Sequence, residues 1–328
     1  MLVTCAMLLL SILMIYYSCK LFVNGIEWVG KKFNIADSAV GSILAALGTA
    51  LPETVITFVA VAFGDSASQK DIGVGTALGG PLILGTLGYA IVGICLIIFA
   101  KYRTDGRKIN IDSKKLGKDQ LWFISIFTLK VLLGLVIFSF KPLFGIFFLL
   151  VYCVYFYKEM SNGRFISEKK LEPLILQKNT ENPNTFAVLG QTALALIVIF
   201  AASRVFVTYL ETFSYAWGFS PLTVSLLLSP IATELPEILN TAIWIRQGKE
   251  NLALGNISGA MMIQATIPSA LGIFFTPWLF DSHLLWSGIC TLLSVGYLYF
   301  TLRTNHLSPH RLVYAGCFYI LFALIFFI

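Results

Sequence analysis

Apolar runs long enough to cross a bilayer recur along almost the whole chain, and they limit its fold more than any other feature. A membrane-spanning helix needs about 20 predominantly apolar residues. Charged residues make up 12% of the chain, about half the share found in a typical soluble domain. Lipid must therefore be its main solvent, and no soluble module is long enough to bind nucleic acid. The ten predicted spans are residues 2–23, 38–63, 72–100, 121–139, 142–157, 185–208, 219–246, 250–275, 283–302 and 310–328.

Basic residues between these spans fall almost entirely on one side of the membrane. Alternate connections place 18 Lys and Arg on one face, against only Lys70 and Lys141 on the other. Basic loops stay in the cytoplasm. We therefore expect an integral protein of the cell (plasma) membrane, with both termini on the non-cytoplasmic side. The first run has no basic stretch before it and no small-residue cleavage site, so we expect a permanent span and not a signal peptide.

The two halves of the chain match when one is shifted along the other. Five spans per half is an odd number, so the second half enters the membrane from the opposite side, as in many secondary transporters. We predict an all-α membrane protein of ten transmembrane helices in two inverted repeats, 1–157 and 185–328, joined by a cytoplasmic linker, 158–184. A shift of 184 places Lys20–Val23 on Arg204–Val207 and Thr49, Leu51, Pro52 and Glu53 on Thr233, Leu235, Pro236 and Glu237; a shift of 180 places Gly75 and Gly79 on Gly255 and Gly259.

A proline followed by a glutamate stands at the same place in each half, inside a predicted span. Proline has no N–H and displaces the carbonyl four residues earlier, which belongs to Gly48 before Pro52 and to Ala232 before Pro236. Thr49 and Thr233 each precede a glutamate by four residues and share its helix face. Carbonyl, hydroxyl and carboxylate oxygens together suit Ca²⁺ or Na⁺.

The two glutamates, Glu53 and Glu237, are predicted to meet near the middle of the bilayer. Ionised carboxylates in hydrocarbon are costly, so either a cation bridges them or at least one takes a proton. Competition between cation and proton is itself a mechanism of exchange. The GxxxG pairs on the following helices allow close helix approach, and packing alone would explain them. We expect these helices to bring Thr76, Asn256 and Gln264 near the carboxylates.

These residues resemble the sodium/calcium exchanger family, which has ten spans in two inverted halves. Each half of that family carries a G-T-S-x-P-E/D core and a G-N-x-x-G-S-N-x-x-N stretch on the next helix. The resemblance implies a transporter that exchanges cations, with no permanently bound cofactor. The ligands that it implies are Thr49, Glu53, Thr233 and Glu237, with the backbone carbonyls of Ala46 and Pro230.

The chain departs from the family pattern in an uneven way. Ala50 and Glu234 stand where the family has serine, so the second half gains a carboxylate three residues before Glu237. The first half loses amide and hydroxyl ligands, because the family residues are replaced by Thr76, Gly80 and Leu84. The corresponding residues of the second half are Asn256, Ala260 and Gln264.

This ligand count favours an antiporter for a divalent cation, first of all Ca²⁺, held by Glu53, Glu234 and Glu237. Fewer neutral ligands weaken the case for several Na⁺ sites, and the added Glu234 strengthens the case for H⁺ as counter-ion. Ordinary Na⁺/Ca²⁺ exchange through a rearranged site is one alternative. Others are a non-transporting paralogue or cation sensor, and a channel. An intramembrane enzyme is not expected, since no catalytic motif is present. Lipid and inorganic cations are the expected partners, and the oligomeric state is open.

Overall fold

The computed structural model describes residues 1–33, 37–103, 106, 109, 111–161, 172–178, 180, 182–304 and 306–326. Residues 37–49, 159–161, 232, 236 and 326 are described as parts of helices without their side chains. All regular secondary structure in the described residues is helical, so the expected all-α class is confirmed. The helices are α1 (Leu2–Lys32), α2 (Asp37–Phe63), α3 (Ala67–Ile83), α4 (Tyr89–Ile98), α5 (Ser113–Leu133), α6 (Leu143–Ser161), α7 (Thr185–Ala216), α8 (Pro221–Arg246), α9 (Glu250–Phe275), α10 (Ser282–Arg303), α11 (Pro309–Tyr314) and α12 (Gly316–Phe326).

Each of the ten predicted spans coincides with a helix or a pair of consecutive helices. The third is a continuous run in which a π-helical stretch, Leu84–Gly88, separates α3 from α4 and a 3₁₀ turn, Phe99–Tyr102, follows. The tenth is divided into α11 and α12. Five helical runs in the described part of the chain are long and apolar enough to cross a membrane, or six if the bent α8 is one span. Ten crossings therefore stay a prediction.

The predicted fourth span, 121–139, lies on a helix that begins earlier, and its predicted end is wrong. The helix begins at Ser113, where the Asp112 side chain caps it by accepting a hydrogen bond from Lys115 N at 3.0 Å. Charged residues in the first two turns hid this start, because they lower the local hydropathy. The helix ends at Leu133, and a connection follows before α6.

The helices pair in a pattern that is preserved when the two halves are exchanged. Helix α1 packs along its counterpart α7, and α5 packs with its counterpart α10. Helix α3 packs on α8 while α9 packs on α2, and α11 packs on α4 while α6 packs on α9. Each of these contacts thus has a counterpart under exchange of the halves, as a structural repeat requires.

Two glycines allow α3 to lie directly against α8. A Cβ at Gly75 or Gly79 would come within 2.5 Å of the Leu222 or Leu226 carbonyl oxygen, respectively. The expected close approach is therefore confirmed in the first half. Gly255 and Gly259 have no such neighbour in the described part of the structure. Their symmetry-equivalent partners fall within 37–49, outside the described side chains, so close approach there stays a prediction.

The described part of the linker is fastened to the ends of α1 and α7. Trp28 Nε1 donates to the Glu172 carbonyl at 2.9 Å, and Asn24 Oδ1 accepts from Ile175 N at 3.0 Å. Gln191 of α7 donates to the same Asn24 oxygen at 2.9 Å. The linker thus binds the α1–α7 pair together. Residues 162–171, 179 and 181 of the linker lie outside the described residues, and the domain boundaries stay a prediction.

Replacing Gly79 by alanine should destabilise the protein by about 1–3 kcal/mol, the usual cost of overpacking. The new methyl group would meet the Leu226 carbonyl, a backbone atom that cannot rotate away. The measurement is the midpoint of heat-induced loss of the monodisperse peak in size-exclusion chromatography. Gly296→Ala on α10 is the control, because no described atom lies within 4 Å of its Cβ position. Equal midpoints for both variants would contradict the close approach of α3 and α8.

Candidate cation-binding site

Helices α2 and α8 bury the glutamates of both Pro–Glu pairs inside the protein. Pro52 lies within α2, and α8 bends by 44° between Leu235 and Glu237, at the position of Pro236. The predicted proline kink is therefore confirmed in α8. The side chains of Glu53 and Glu237 are 0% and 1% exposed. Carboxyl groups are almost never this deeply buried unless they are paired, so their surroundings decide what the site can do.

The carboxyl that faces Glu53 most directly is that of Glu234. Glu234 is also fully buried, beside Thr233, Gln264 and Glu53. Thr233 Oγ1 donates to Glu234 Oε1 at 2.8 Å. Both oxygens of Glu53, and Oε2 of Glu234, accept no hydrogen bond from any described residue. Two facing carboxyls with unsatisfied oxygens are the chemistry that a hard cation, or a shared proton, would complete.

Glu53 owes its position to Gly80 on α3. A Cβ at Gly80 would overlap the Glu53 carboxyl, 2.8 Å from Cδ and 2.9 Å from Oε1. The missing side chain thus leaves room for the carboxyl. This gives a physical reason for one departure from the family pattern, because a serine at this position would displace Glu53.

Glu237 belongs to the same electrostatic environment but lies less directly opposite Glu53. Glu53 interacts more strongly with Glu234 than with Glu237. Glu237 also interacts electrostatically with Cys19 of α1. Among the described residues, no three His, Cys, Asp or Glu side chains converge as a metal-binding group. A cation held here would therefore need neutral oxygens as well as two carboxylates.

Neutral candidates surround the carboxyl pair to different degrees. Gln264 on α9 is fully buried next to Glu234, and neither of its amide atoms finds a hydrogen-bond partner within the described chain. Its position agrees with the predicted role as a ligand. Thr76 is buried with its hydroxyl 2.8 Å from the Ile72 carbonyl and 3.0 Å from Ser229 Oγ, so it joins α3 to α8. Asn256 is half-buried.

Several predicted backbone and hydroxyl ligands cannot be placed. Thr49, Ala46, Gly48 and Ala232 lie outside the residues whose side chains and surroundings the structure describes. The ring of Pro230 packs against Gly79. The ligand roles of these residues stay predictions.

Two threonines were missed by the pattern analysis although a signal for them was present. Thr57 and Thr241 follow Glu53 and Glu237 by four residues each, and they are related by the same shift of 184. Both are buried, and neither hydroxyl has a partner in the described part of the structure. They extend the polar face of each kinked helix by one turn.

Lys130 of α5 was also missed, although it is a basic residue that interacts with the site. It is fully buried, and its ammonium interacts electrostatically with Glu53. A lysine in the middle of a predicted span is costly and functional by default, so the sequence did carry the signal. Counting lysines only as markers of loops concealed it.

Comparison with known proteins identifies the family of this chain. The sodium/calcium exchanger protein family matches residues 3–158 and 187–328. The chain belongs to the sodium/calcium exchanger family. It is therefore a membrane protein of the cation antiporter class, and the expectation that it is not an enzyme is confirmed.

Relatives of this exchanger match over most of their length. Inner membrane protein YrbG of Escherichia coli (strain K12) is 26% identical over 285 residues, covering 84% of this chain and 81% of its own. Putative antiporter CaxA of Alkalimonas amylolytica is 25% identical over 294 residues, covering 86% and 84%.

Solved structures share the fold of this exchanger. The H⁺/Ca²⁺ exchanger CAX superposes with a TM-score of 0.74 at 16% identity, covering 99% of this chain and 82% of its own. The sodium-calcium exchanger NCX_Mj gives a TM-score of 0.59 at 20% identity, covering 98% and 97%. The predicted exchanger fold is thereby confirmed.

Gly80→Ala should weaken cation transport by displacing the Glu53 carboxyl. Overpacking of about 1–3 kcal/mol corresponds to roughly a 5- to 150-fold rise in the cation concentration for half-maximal transport, if the strain falls on the bound state. Initial rates of radiolabelled Ca²⁺ uptake into reconstituted vesicles measure this. Gly296→Ala is again the control. A normal concentration dependence in Gly80→Ala would show that Glu53 does not need this space.

Proposed function

We propose that this exchanger moves a divalent cation, with Ca²⁺ as the first candidate, in exchange for protons. The observation that carries the proposal is the buried pair of facing carboxyls, Glu53 and Glu234. A divalent cation neutralises such a pair when bound. When the cation leaves, repulsion between the carboxyls in a low-dielectric interior favours uptake of a proton. Loading by cation and loading by protons then exclude each other, which is the requirement for antiport.

The architecture that goes with this function is ten membrane crossings in two inverted repeats. Support comes from the helix pairs that correspond under exchange of the halves, and from the excess of basic loops on one side. With that orientation both termini lie outside the cytoplasm, and the carboxyl pair lies near the middle of the bilayer. Ion sites at the repeat interface near the midplane are usual in inverted-repeat transporters.

Alternating access is favoured by an asymmetry between the two helix pairs that carry the site, α2–α3 and α8–α9. Arg204 of α7 donates to the Phe63 carbonyl and lies 3.2 Å from Asp65 Oδ2, so it fastens the turn between α2 and α3. Its counterpart Lys20 lies instead over the ring of Tyr16 on its own helix, at 4.7 Å. Arg204 therefore holds the α2–α3 turn, whereas the equivalent Lys20 contacts a ring on its own helix.

Glu211, which lies about two turns after Arg204 on α7, also binds residues of the α2–α3 turn. Glu211 accepts hydrogen bonds from Ser66 Oγ and Gln69 Nε2, each at 2.7 Å. A transporter that opens its two sides in turn needs contacts that hold one side shut. These polar contacts are suited to that purpose, since they can break and re-form at the membrane surface.

The fold alone does not identify the counter-ion, because proteins of this fold are named as exchangers of H⁺ or of Na⁺ for Ca²⁺. The choice of H⁺ therefore depends on the residues of the site. The similar structures are those of an H⁺/Ca²⁺ exchanger and a sodium-calcium exchanger. Replacement of the family serine by Glu234 adds a group that can take a proton and removes a neutral Na⁺ ligand. This favours H⁺.

The direct test is uptake of radiolabelled Ca²⁺ into vesicles under one imposed gradient at a time. We expect an acid interior to drive uptake and a Na⁺-loaded interior at equal pH to have little effect. Glu53→Gln and Glu237→Gln should each abolish uptake, whereas Glu172→Gln, an exposed acidic residue of the linker, should not. Uptake driven by Na⁺ alone would identify a Na⁺/Ca²⁺ exchanger. Absence of wild-type uptake under both gradients would favour the non-transporting paralogue or sensor.

Glu234→Ser restores the family residue and should reduce the pH dependence of transport. In the wild type, lowering the pH on the Ca²⁺ side should weaken Ca²⁺ binding, because protons compete for the carboxyl pair. The loss approaches about tenfold per pH unit for each proton displaced. In Glu234→Ser one competing carboxyl is gone, so the slope should be shallower. Equal slopes in the two proteins would exclude Glu234 from proton coupling.

A further inference from the structure

Several buried threonines of this protein use the hydroxyl to bond their own helix, but two do not. Thr76, Thr266 and Thr291 each donate to the carbonyl four residues earlier, at 2.8, 2.7 and 2.7 Å. This is a usual way for a helical threonine to satisfy its hydroxyl away from water. Thr57 of α2 and Thr241 of α8 are 0% and 1% exposed, and neither hydroxyl has a partner in the part of the chain that the structure describes. Both oxygens are therefore available to a ligand.

The two threonines occupy equivalent places beside the two glutamates. Thr57 follows Glu53 by four residues, as Thr241 follows Glu237, so each shares the helix face of its glutamate. A buried hydroxyl without a partner destabilises a protein. The same unfavourable feature thus occurs in both halves, each time one turn beyond a carboxyl. The repetition indicates a role that is connected with the carboxyls.

The contacts of α3 with α2 show how these two helices run. A Cβ at Gly73 would lie 3.2 Å from the Thr57 carbonyl oxygen, whereas a Cβ at Gly80 would overlap the Glu53 carboxyl. Later residues of α3 thus meet earlier residues of α2. Helices α2 and α3 are therefore antiparallel.

The contacts of α3 with α8 have the opposite order. Gly75 lies against Leu222, and Gly79 lies against Leu226. Helix α8 is therefore parallel to α3 and antiparallel to α2. Four residues advance an α-helix by about 6 Å. Continuing four residues past the glutamate consequently leads towards one face of the protein in α2 and towards the opposite face in α8.

We propose that Thr57 and Thr241 are transit ligands, which hold the cation as it passes between water and the carboxyls. In the orientation that the basic loops predict, Thr57 serves the non-cytoplasmic approach and Thr241 the cytoplasmic approach. This inference rests on the proposed antiport function and names a ligand for each of its two paths. A hard cation that gives up water needs other oxygens in its place. A neutral hydroxyl supplies one without adding a charge that would retain the ion.

The test measures Ca²⁺ affinity separately at each face of the full-length protein. Initial uptake of radiolabelled Ca²⁺ is followed in right-side-out and in inside-out vesicles, both with an acid interior. Thr57→Val should raise the Ca²⁺ concentration for half-maximal uptake about tenfold in right-side-out vesicles, the size expected for one polar contact to a charged group. It should leave the value in inside-out vesicles unchanged. Thr241→Val should do the reverse.

Thr291→Val on α10 is the matched control, because the Thr291 hydroxyl is equally buried but is bound to the Ser287 carbonyl of its own helix. It should change neither value. Thr57→Ser and Thr241→Ser keep the hydroxyl and should restore the wild-type values. An equal effect at both faces, the reverse pattern, no effect, or a failure of serine to restore affinity would each overturn the proposal.

Heat stability in Ca²⁺-free buffer separates a transit ligand from a structural hydroxyl. Valine has nearly the shape of threonine, so removing a hydroxyl that has no protein partner should not lower the unfolding temperature. A lower unfolding temperature in Thr57→Val or Thr241→Val would show a structural hydroxyl and overturn the proposal. Should the wild type take up no Ca²⁺ under any gradient, the proposed function itself would fail. Normal wild-type uptake with unaffected valine variants would overturn only the transit ligands.

Discussion

Carboxyl groups that are removed from water need a positive charge or a proton, and this requirement governs the centre of the molecule. Glu53 and Glu234 are fully buried, face each other and have oxygens that no described residue satisfies. An uncompensated buried charge costs several kcal/mol, so the pair cannot be stable empty and doubly ionised. The amine of Lys130 interacts with Glu53, and cations or protons must neutralise the remaining negative charge. Exchange of a cation for protons therefore follows from the electrostatics of the buried carboxyl pair.

The arrangement of small and kinked residues follows from the need to bring these charges together. Gly75 and Gly79 let α3 lie against the backbone of α8, and Gly80, one residue on, leaves the space that the Glu53 carboxyl fills. Helix α8 bends by 44° between Leu235 and Glu237, and Glu237 interacts electrostatically with Cys19 of α1. Larger residues at the glycines would separate α3 from α8 and displace the Glu53 carboxyl. Packing thus decides which carboxyls meet.

The helical architecture and the composition of the site were largely predictable from the sequence, whereas the pairing within the site was not. Apolar runs locate the helices, because a bilayer leaves few alternatives to them. The Pro–Glu pairs identify α2 and α8 by a local rule of backbone chemistry. Helical periodicity places Glu234 and Glu237 on similar faces, but it cannot say which one meets Glu53, since this depends on the kink and on how α8 crosses α2. The start of α5 was hidden by its charged first turns. Lys130 was visible as a charge within an apolar run, yet its partners lie 53 and 134 residues away in the chain.

The uneven site is better explained as a redistribution of charge than as decay. In the first half, the ligand positions of the family hold Thr76, Gly80 and Leu84, and two of these side chains offer no oxygen. The space at Gly80 is filled by the Glu53 carboxyl, and the Ala77 carbonyl beside Thr76 is bound by Lys130. Where the family pattern has neutral ligands, this chain has the amine of Lys130 near Glu53 and an additional carboxyl at Glu234. A protein with no ion to bind would be more stable with apolar residues at all these positions. Buried carboxyl oxygens that no described residue satisfies are instead what a site for a cation or a proton requires.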